Sequence, residues 1–139
     1  MFLVDTNYLS ETRKVARANQ NVMAWSRANP DRTLHLSVIT VLEIELGICR
    51  LARRDLPQSE MLRQWLQVVV LPNFEGRIID VDLAISQRTA ALHVPDPRPH
   101  LDALIAATAL VHGLTVVTRN TADFNPMGVS TLDPWSWTA

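Results

Sequence analysis

The stretch Asp102-Ala103-Leu104-Ile105-Ala106-Ala107-Thr108-Ala109, followed through Leu110-Val111-His112-Gly113 by Leu114-Thr115-Val116-Val117-Thr118, decides the fold. Its first half is a smooth run of helix-favouring residues opened by an acid, which complements the positive end of a helix dipole. Gly113 is the residue type that closes a helix in the left-handed conformation. A strand-like pattern rich in β-branched residues follows at once.

The same alternation extends in both directions. Downstream come a short polar loop with Asp123, a last strand from Val129 to Leu132, and the tail Asp133-Pro134-Trp135-Ser136-Trp137. Upstream, Val94-Pro95-Asp96-Pro97-Arg98-Pro99 is a rigid surface loop, because proline removes donors and restricts its neighbours. A helix from Asp82 to about His93 and a strand from Ile78 to Val81 precede it. Before these, Pro57 and Ser59 open a helix whose Leu62, Trp65, Leu66 and Val69 recur at i, i+3, i+4 and i+7, with Pro72 and Gly76 ending it. Further back lie a helix from Val38 to about Arg53, a strand from Leu34 to Ser37, a turn at Asn29-Pro30-Asp31, and helices over Asn21 to Ala28 and Tyr8 to about Lys14. The first strand is Phe2 to Asp5. Strands alternating with helices define an α/β chain with a mostly parallel sheet. With no internal repeat or linker, residues 1–139 read as one domain.

Composition narrows the class. Apolar residues make up 47% and charged residues 19%, a globular profile and not a disordered one. No apolar stretch reaches transmembrane length, and Met1 to Asp5 reads as a strand rather than a signal peptide. The single cysteine, Cys49, excludes an internal disulfide and a Cys-based zinc site, and is placed in a core helix. The expected compartment is the cytoplasm. A net charge of −1 does not describe a general nucleic-acid coat. Arg13, Lys14 and Arg17 form one basic cluster and Arg50, Arg53 and Arg54 another. Each reads first as a solvated helix end.

Four acidic residues stand out: Asp5, Glu43, Asp102 and Asp123. Asp5 and Asp123 follow strand ends, where open α/β sheets gather functional groups. Glu43 lies inside Val38-Ile39-Thr40-Val41-Leu42-Glu43-Ile44-Glu45-Leu46-Gly47, a segment otherwise apolar enough to be core. Buried carboxylates are costly unless they share a proton or bind a cation. A hard divalent ion accepts oxygen ligands, and the chemistry that follows is metal-assisted phosphodiester hydrolysis. Taken singly, each residue has a plainer reading: Asp5 as a turn or helix cap, Asp102 as a dipole partner, Asp123 as a loop cap. The helical wheel does not choose between Glu43 and Glu45. Gly47 lies one turn beyond Glu43 and would open space on that face.

These residues carry a resemblance. The chain resembles PIN-domain proteins, specifically the VapC/FitB-like ribonuclease toxins of bacterial toxin–antitoxin modules, over almost its whole length. The similarity rests on Met1-Phe2-Leu3-Val4-Asp5-Thr6-Asn7, on Leu42-Glu43-Ile44-Glu45-Leu46-Gly47-Ile48, on Asp102 to Ala109, and on Thr118-Arg119-Asn120-Thr121-Ala122-Asp123-Phe124. It implies a three-layer α/β/α sandwich. It also implies an acidic quartet of Asp5, Glu43, Asp102 and Asp123 around Mg²⁺ or Mn²⁺, with Glu43 chosen over Glu45 by its distance from Gly47. Thr6 and Asn7 match the polar turn after the first aspartate, and Thr118 and Asn120 match positions that support the site by hydrogen bonds. The implied activity is endonucleolytic cleavage of RNA, held in check by a cognate antitoxin. The implied assembly is a homodimer that meets operator DNA only through that antitoxin.

Other readings fit less well. A catalytically silent PIN-like interaction module would have lost a ligand, and all four are present. A phosphoacceptor receiver domain needs a lysine on a late strand, whereas Lys14 is the only lysine and stands in the first half. A haloacid-dehalogenase-like phosphatase needs an aspartate where Asn7 stands. Neither a P-loop nor a Gly-x-Gly-x-x-Gly run is present. His35, His93, His100 and His112 are scattered and read as surface or packing residues. Trp135 and Trp137 are expected to cover the core.

Overall fold

The sheet is built outward from a three-residue strand. In the computed structural model, which describes residues 1–138, β1 (Phe2–Val4) pairs in parallel with β2 (Leu34–Ser37) on one side and with β4 (Thr115–Val117) on the other. Beyond them, β3 (Ile78–Ile79) joins β2, and β5 (Thr131–Leu132) joins β4. The order is β3-β2-β1-β4-β5, every pairing parallel. The chain leaves β1 toward β2 and later returns to β1's other side as β4. The gap between the carboxyl ends of β1 and β4 is therefore the topological switch point, where such sheets place ligands.

The helices are α1 (Thr6–Arg13), α2 (Gln20–Ala28), α3 (Val38–Ala52), α4 (Leu56–Trp65), α5 (Leu71–Asn73), α6 (Leu83–Leu92), α7 (His100–His112) and α8 (Thr121–Phe124). The period-2 alternation of strands assigns them to two layers. Val4 and Val117 point into a core shared with Tyr8 and Leu9 of α1, Trp25 of α2, and Ile44 and Ile48 of α3. Leu3 and Val116 point the other way, onto Ala103, Ile105, Ala106 and Ala109 of α7. The small alanines let α7 approach the sheet closely. The result is the expected α/β/α sandwich.

Several boundaries differ from the sequence reading. Asp5 is not the last strand residue but the N-cap of α1, so the helix opens at Thr6 rather than Tyr8. α7 begins at His100, immediately after Pro99, and Asp102 sits in its first turn. Gly113 does close α7, with φ +66°. The helix expected to end at Pro72 runs on from α4 through a π-helical segment, Leu66–Val70, into α5. This widened stretch lies just before Pro72, which has no N–H to donate. The third and last strands shrink to Ile78–Ile79 and Thr131–Leu132. Cys49 is on a helix that packs into the core, but on its exposed side. Trp135 and Trp137 pack against the core as expected.

Candidate active site

Asp5 is the pivot. It leaves β1 in extended geometry and caps α1, its Oδ1 accepting the Thr6 N–H at 2.8 Å. Its backbone N–H donates to the Val117 carbonyl at 3.0 Å, which fixes it to the end of β4. On the other oxygen, Oδ2 accepts the Thr118 hydroxyl at 2.8 Å and the Asn7 amide at 3.5 Å. Thr118, fully buried, uses all its capacity: besides donating to Asp5, its Oγ1 accepts from Asn7 Nδ2 at 3.1 Å and from the Asn120 N–H at 3.0 Å. Asn7 Oδ1 in turn accepts the Arg119 N–H at 3.3 Å. One network thus joins the loops after β1 and β4 beneath a single carboxylate.

Two further helices bring acids to the same place. Glu43 of α3 accepts a hydrogen bond from the Thr6 hydroxyl at 3.2 Å. Glu45, two residues on, faces elsewhere and pairs with Arg63 at 3.1 Å. Glu43 is therefore the glutamate directed at the site, as the resemblance implied. Gly47 does not shape the cleft: it lies on the surface, and a Cβ there would meet no atom within 4 Å. Asp102, in the first turn of α7, completes an acidic wall with Asp5 and Glu43 along a cleft of about 440 Å³.

The electrostatics follow from this crowding. Burial raises the Asp5 pKa; hydrogen bonds from Thr118 and Thr6 offset part of that, and the Asp123 charge adds to it. Glu43 is raised first by burial, then by Asp5, with Asp102 adding further. Asp102 is raised by burial, then by Asp5 and Asp123. Each carboxylate thus makes its neighbours harder to ionise. Asp123 is exposed on α8 and does not line the cleft, though its charge is felt by Asp5 and Asp102. Among the described residues, no three such side chains stand close enough to grip one ion directly. The donor set, all oxygen and mutually repelling, nonetheless suits a hard cation that keeps several waters and needs only one or two direct carboxylates.

Thr6 and Asn7 contribute more than expected, the first holding Glu43 and the second bridging Asp5 to the β4 loop. Asn120 supports the site through its backbone N–H. Sequence reasoning missed the rest of the lining: Ser10, Glu11, Lys14, Arg119 and Trp135. Part of it was findable. Thr6, Ser10 and Lys14 recur every four residues, and Asn7 and Glu11 follow the same spacing, a polar stripe along α1 that begins beside Asp5. Lys14 is the exposed helix end that it was read as, the C-cap of α1, and also pairs with the buried Glu11 at 2.9 Å. His100 is exposed and packs beside His93, ring centroids 5.0 Å apart, in keeping with its reading as a packing residue.

The class is therefore a parallel α/β/α sandwich whose switch point gathers carboxylates from the β1–α1 junction, α3 and α7. Comparison makes the family definite. The PIN domain family matches residues 2–127, and the chain belongs to it. The chain is 36% identical to the VapC ribonuclease Y4jK of Sinorhizobium fredii, over 97% of this chain and 98% of the relative. It is 34% identical to Toxin FitB of Neisseria gonorrhoeae, over 97% and 99%. The crystal structure of FitAcB from Neisseria gonorrhoeae superposes with a TM-score of 0.88 at 33% identity, covering 99% of this chain and 100% of that one.

Proposed function

We propose that this protein is a divalent-metal-dependent endoribonuclease that acts as the toxin of a toxin–antitoxin module. The observation that carries this is the meeting of Asp5, Glu43 and Asp102 in one cleft of a PIN domain, each with its proton affinity raised first by burial and then by at least one neighbouring acid. The names of the relatives, a ribonuclease and a toxin, agree with it.

Asp5 and Asp102 would hold Mg²⁺ or Mn²⁺ directly, with Asp123 and Glu43 completing the shell through waters that the ion keeps. When bound, such an ion supplies Lewis-acid stabilisation of charge developing on the phosphoryl oxygens. The chain's own work is positional. Thr118 and Asn7 hold the Asp5 carboxylate in one orientation, as outer hydrogen bonds do for metal ligands. Thr6 does the same for Glu43.

The single domain works in the cytoplasm as a homodimer, bound by a cognate antitoxin that offers a cationic side chain to the acidic wall. Operator DNA is met only through that antitoxin. No helix among the described residues is long and apolar enough to cross a membrane.

The test is cleavage of single-stranded RNA by purified, antitoxin-free protein in Mg²⁺, Mn²⁺ or EDTA, beside Asp5→Asn. Cleavage that persists in EDTA, or equal cleavage by the variant, sinks the metal mechanism. Antitoxin binding and cleavage are expected to exclude one another. A ternary complex that cuts at the unbound toxin's rate would contradict that.

A further inference from the structure

The cleft lined by Asp5, Glu43 and Asp102 has two cations in its lining as well, Lys14 and Arg119. Lys14 is committed to Glu11 at 2.9 Å. Arg119 makes no ion pair among the described residues, although it stands in a markedly acidic neighbourhood. Its guanidinium lies over the Trp135 ring, 5.4 Å from the centroid.

Trp135 is held in two ways. Its backbone N–H donates to Asp133 Oδ1 at 2.9 Å and its backbone carbonyl accepts from Asn21 Nδ2 at 2.7 Å, while its ring packs against the core. A cation–π contact engages the charge of a guanidinium without using up its N–H donors, which stay able to bind an oxygen ligand. The main chain of Arg119 is registered to the acidic wall as well, since its N–H bonds Asn7, which bonds Asp5 and Thr118. Neutralising Glu11 does not explain Arg119, because among the causes lowering that carboxyl the Lys14 hydrogen bond comes first and the Arg119 charge last. A phosphodiester is the ligand that needs both chemistries in one cleft: oxygen donors for its counter-ion and a planar cation for its own oxygens.

We propose that Arg119 binds a phosphate of the RNA strand lying in this cleft, and that Trp135 is the positioning residue that holds its guanidinium in place. The inference rests on the ribonuclease reading and deepens it. Arg119 sets how the substrate is held, not how the bond is broken.

The test is steady-state cleavage of a mixed-sequence single-stranded RNA at several salt concentrations, with fluorescence anisotropy of the labelled strand in parallel. Arg119→Ala is expected to raise KM about tenfold, the loss of one charge-assisted contact, with kcat little changed. It should also make the slope of log affinity against log salt shallower by about 0.7, one single-strand phosphate contact. Arg119→Lys should restore the slope but only part of the KM, because it keeps charge and loses the planar fork. Trp135→Phe, which keeps an aromatic face and a folded tail, should raise KM modestly in the wild-type background and not at all in the Arg119→Ala background. An Arg119→Ala protein with wild-type KM and salt slope overturns the proposal. So does a fall in kcat with KM and slope unchanged, and so does loss of antitoxin binding with RNA parameters intact, which would make Arg119 a protein contact. If wild-type protein neither binds nor cuts RNA, the ribonuclease reading itself fails, a result distinct from all of these.

Discussion

Helix α1 has a buried carboxylate near each end, and the fold treats the two in opposite ways. Asp5, at the N-terminus, is 6% exposed, and Glu11, near the C-terminus, is 8% exposed. An aspartate at a helix N-cap ordinarily gains from the dipole and from backbone donors. Asp5 has the donors, yet its pKa is raised, because burial outweighs them and Asp123 adds like charge. Glu11 stands at the less favourable end of the dipole, yet its pKa is lowered, first by the hydrogen bond from Lys14 and then by the Asn19 N–H. The difference is a matched cation. Glu11 has one built in, and Asp5 does not. A buried carboxylate supplied with its own partner is a structural part. One left crowded by other acids holds a charge that only something from outside can balance.

The largest test of that contrast is Asp5→Asn, read for stability as well as activity. Cleavage should fall by roughly a hundredfold or more, since even outer hydrogen-bonding partners of metal ligands cost about 10–100-fold. With rising pH, stability should move the other way. A carboxyl whose folded pKa is raised contributes its stability below the unfolded pKa and loses it as pH rises through the folded value. As pH rises, the ionised form therefore opposes folding, and asparagine removes that charge and keeps the cap on Thr6, although its amide NH2 meets the Thr118 and Asn7 donors. In EDTA the melting temperature of the variant should therefore gain on that of wild type as pH rises toward neutrality, whatever the fixed cost of the lost acceptor. Added Mg²⁺ at neutral pH should reverse that gain by stabilising wild type alone. A difference that does not change with pH, or that moves against the variant as pH rises, would show that Asp5 is a structural carboxylate like Glu11.

Glu11→Gln probes the other end. The amide keeps an oxygen for the Asn19 N–H but loses the Lys14 ion pair, at a cost of about 1–2 kcal/mol in urea unfolding at pH 7. The sign with pH is the reverse of that for Asp5. A lowered folded pKa gives stability above the unfolded value that is lost as pH falls through the folded one. The gap between Glu11→Gln and wild type should thus close on the acid side, below about pH 4. A gap constant across that range would mean that Lys14 does not stabilise the carboxylate.

What was legible in the sequence follows the same division. Local rules carried the frame: the β-branched run Thr115 to Val117, the alanine face of α7 and the left-handed Gly113 all stand where pattern placed them. The acids Asp5, Glu43 and Asp102 were legible because charge in apolar surroundings is conspicuous along the chain. The edges of the sheet were not, since two paired residues such as Ile78–Ile79 cannot be told by pattern from a longer extended segment. The cationic part of the lining was hidden for a different reason. Lys14, Arg119 and Trp135 come from three distant segments, and each by itself looks like surface or core cover. Asp123 shows the limit in the other direction: its motif position was plain, but the geometry leaves it exposed at the margin of the cleft.

The smallest expected effect makes the sharpest comparison, because it concerns two glutamates on one helix. Glu43 and Glu45 are indistinguishable by residue type and nearly so by neighbours. Two residues along an α-helix turn the side chain by about 200°, so one faces the cleft and the other faces away. Glu45 meets Arg63 at 3.1 Å, with the two side chains 36% and 47% exposed. Water screens a pair so exposed, and its loss costs no more than about 0.5 kcal/mol. Glu45→Gln should therefore leave both the melting temperature and RNA cleavage within error of wild type. Glu43→Gln keeps the bond from Thr6 and the packing but removes a charge from the acidic wall, so cleavage should fall about tenfold or more with little change in stability. Should Glu45→Gln be the variant that loses activity, α3 is rotated in the working enzyme, and the acidic wall must be drawn again around the other glutamate.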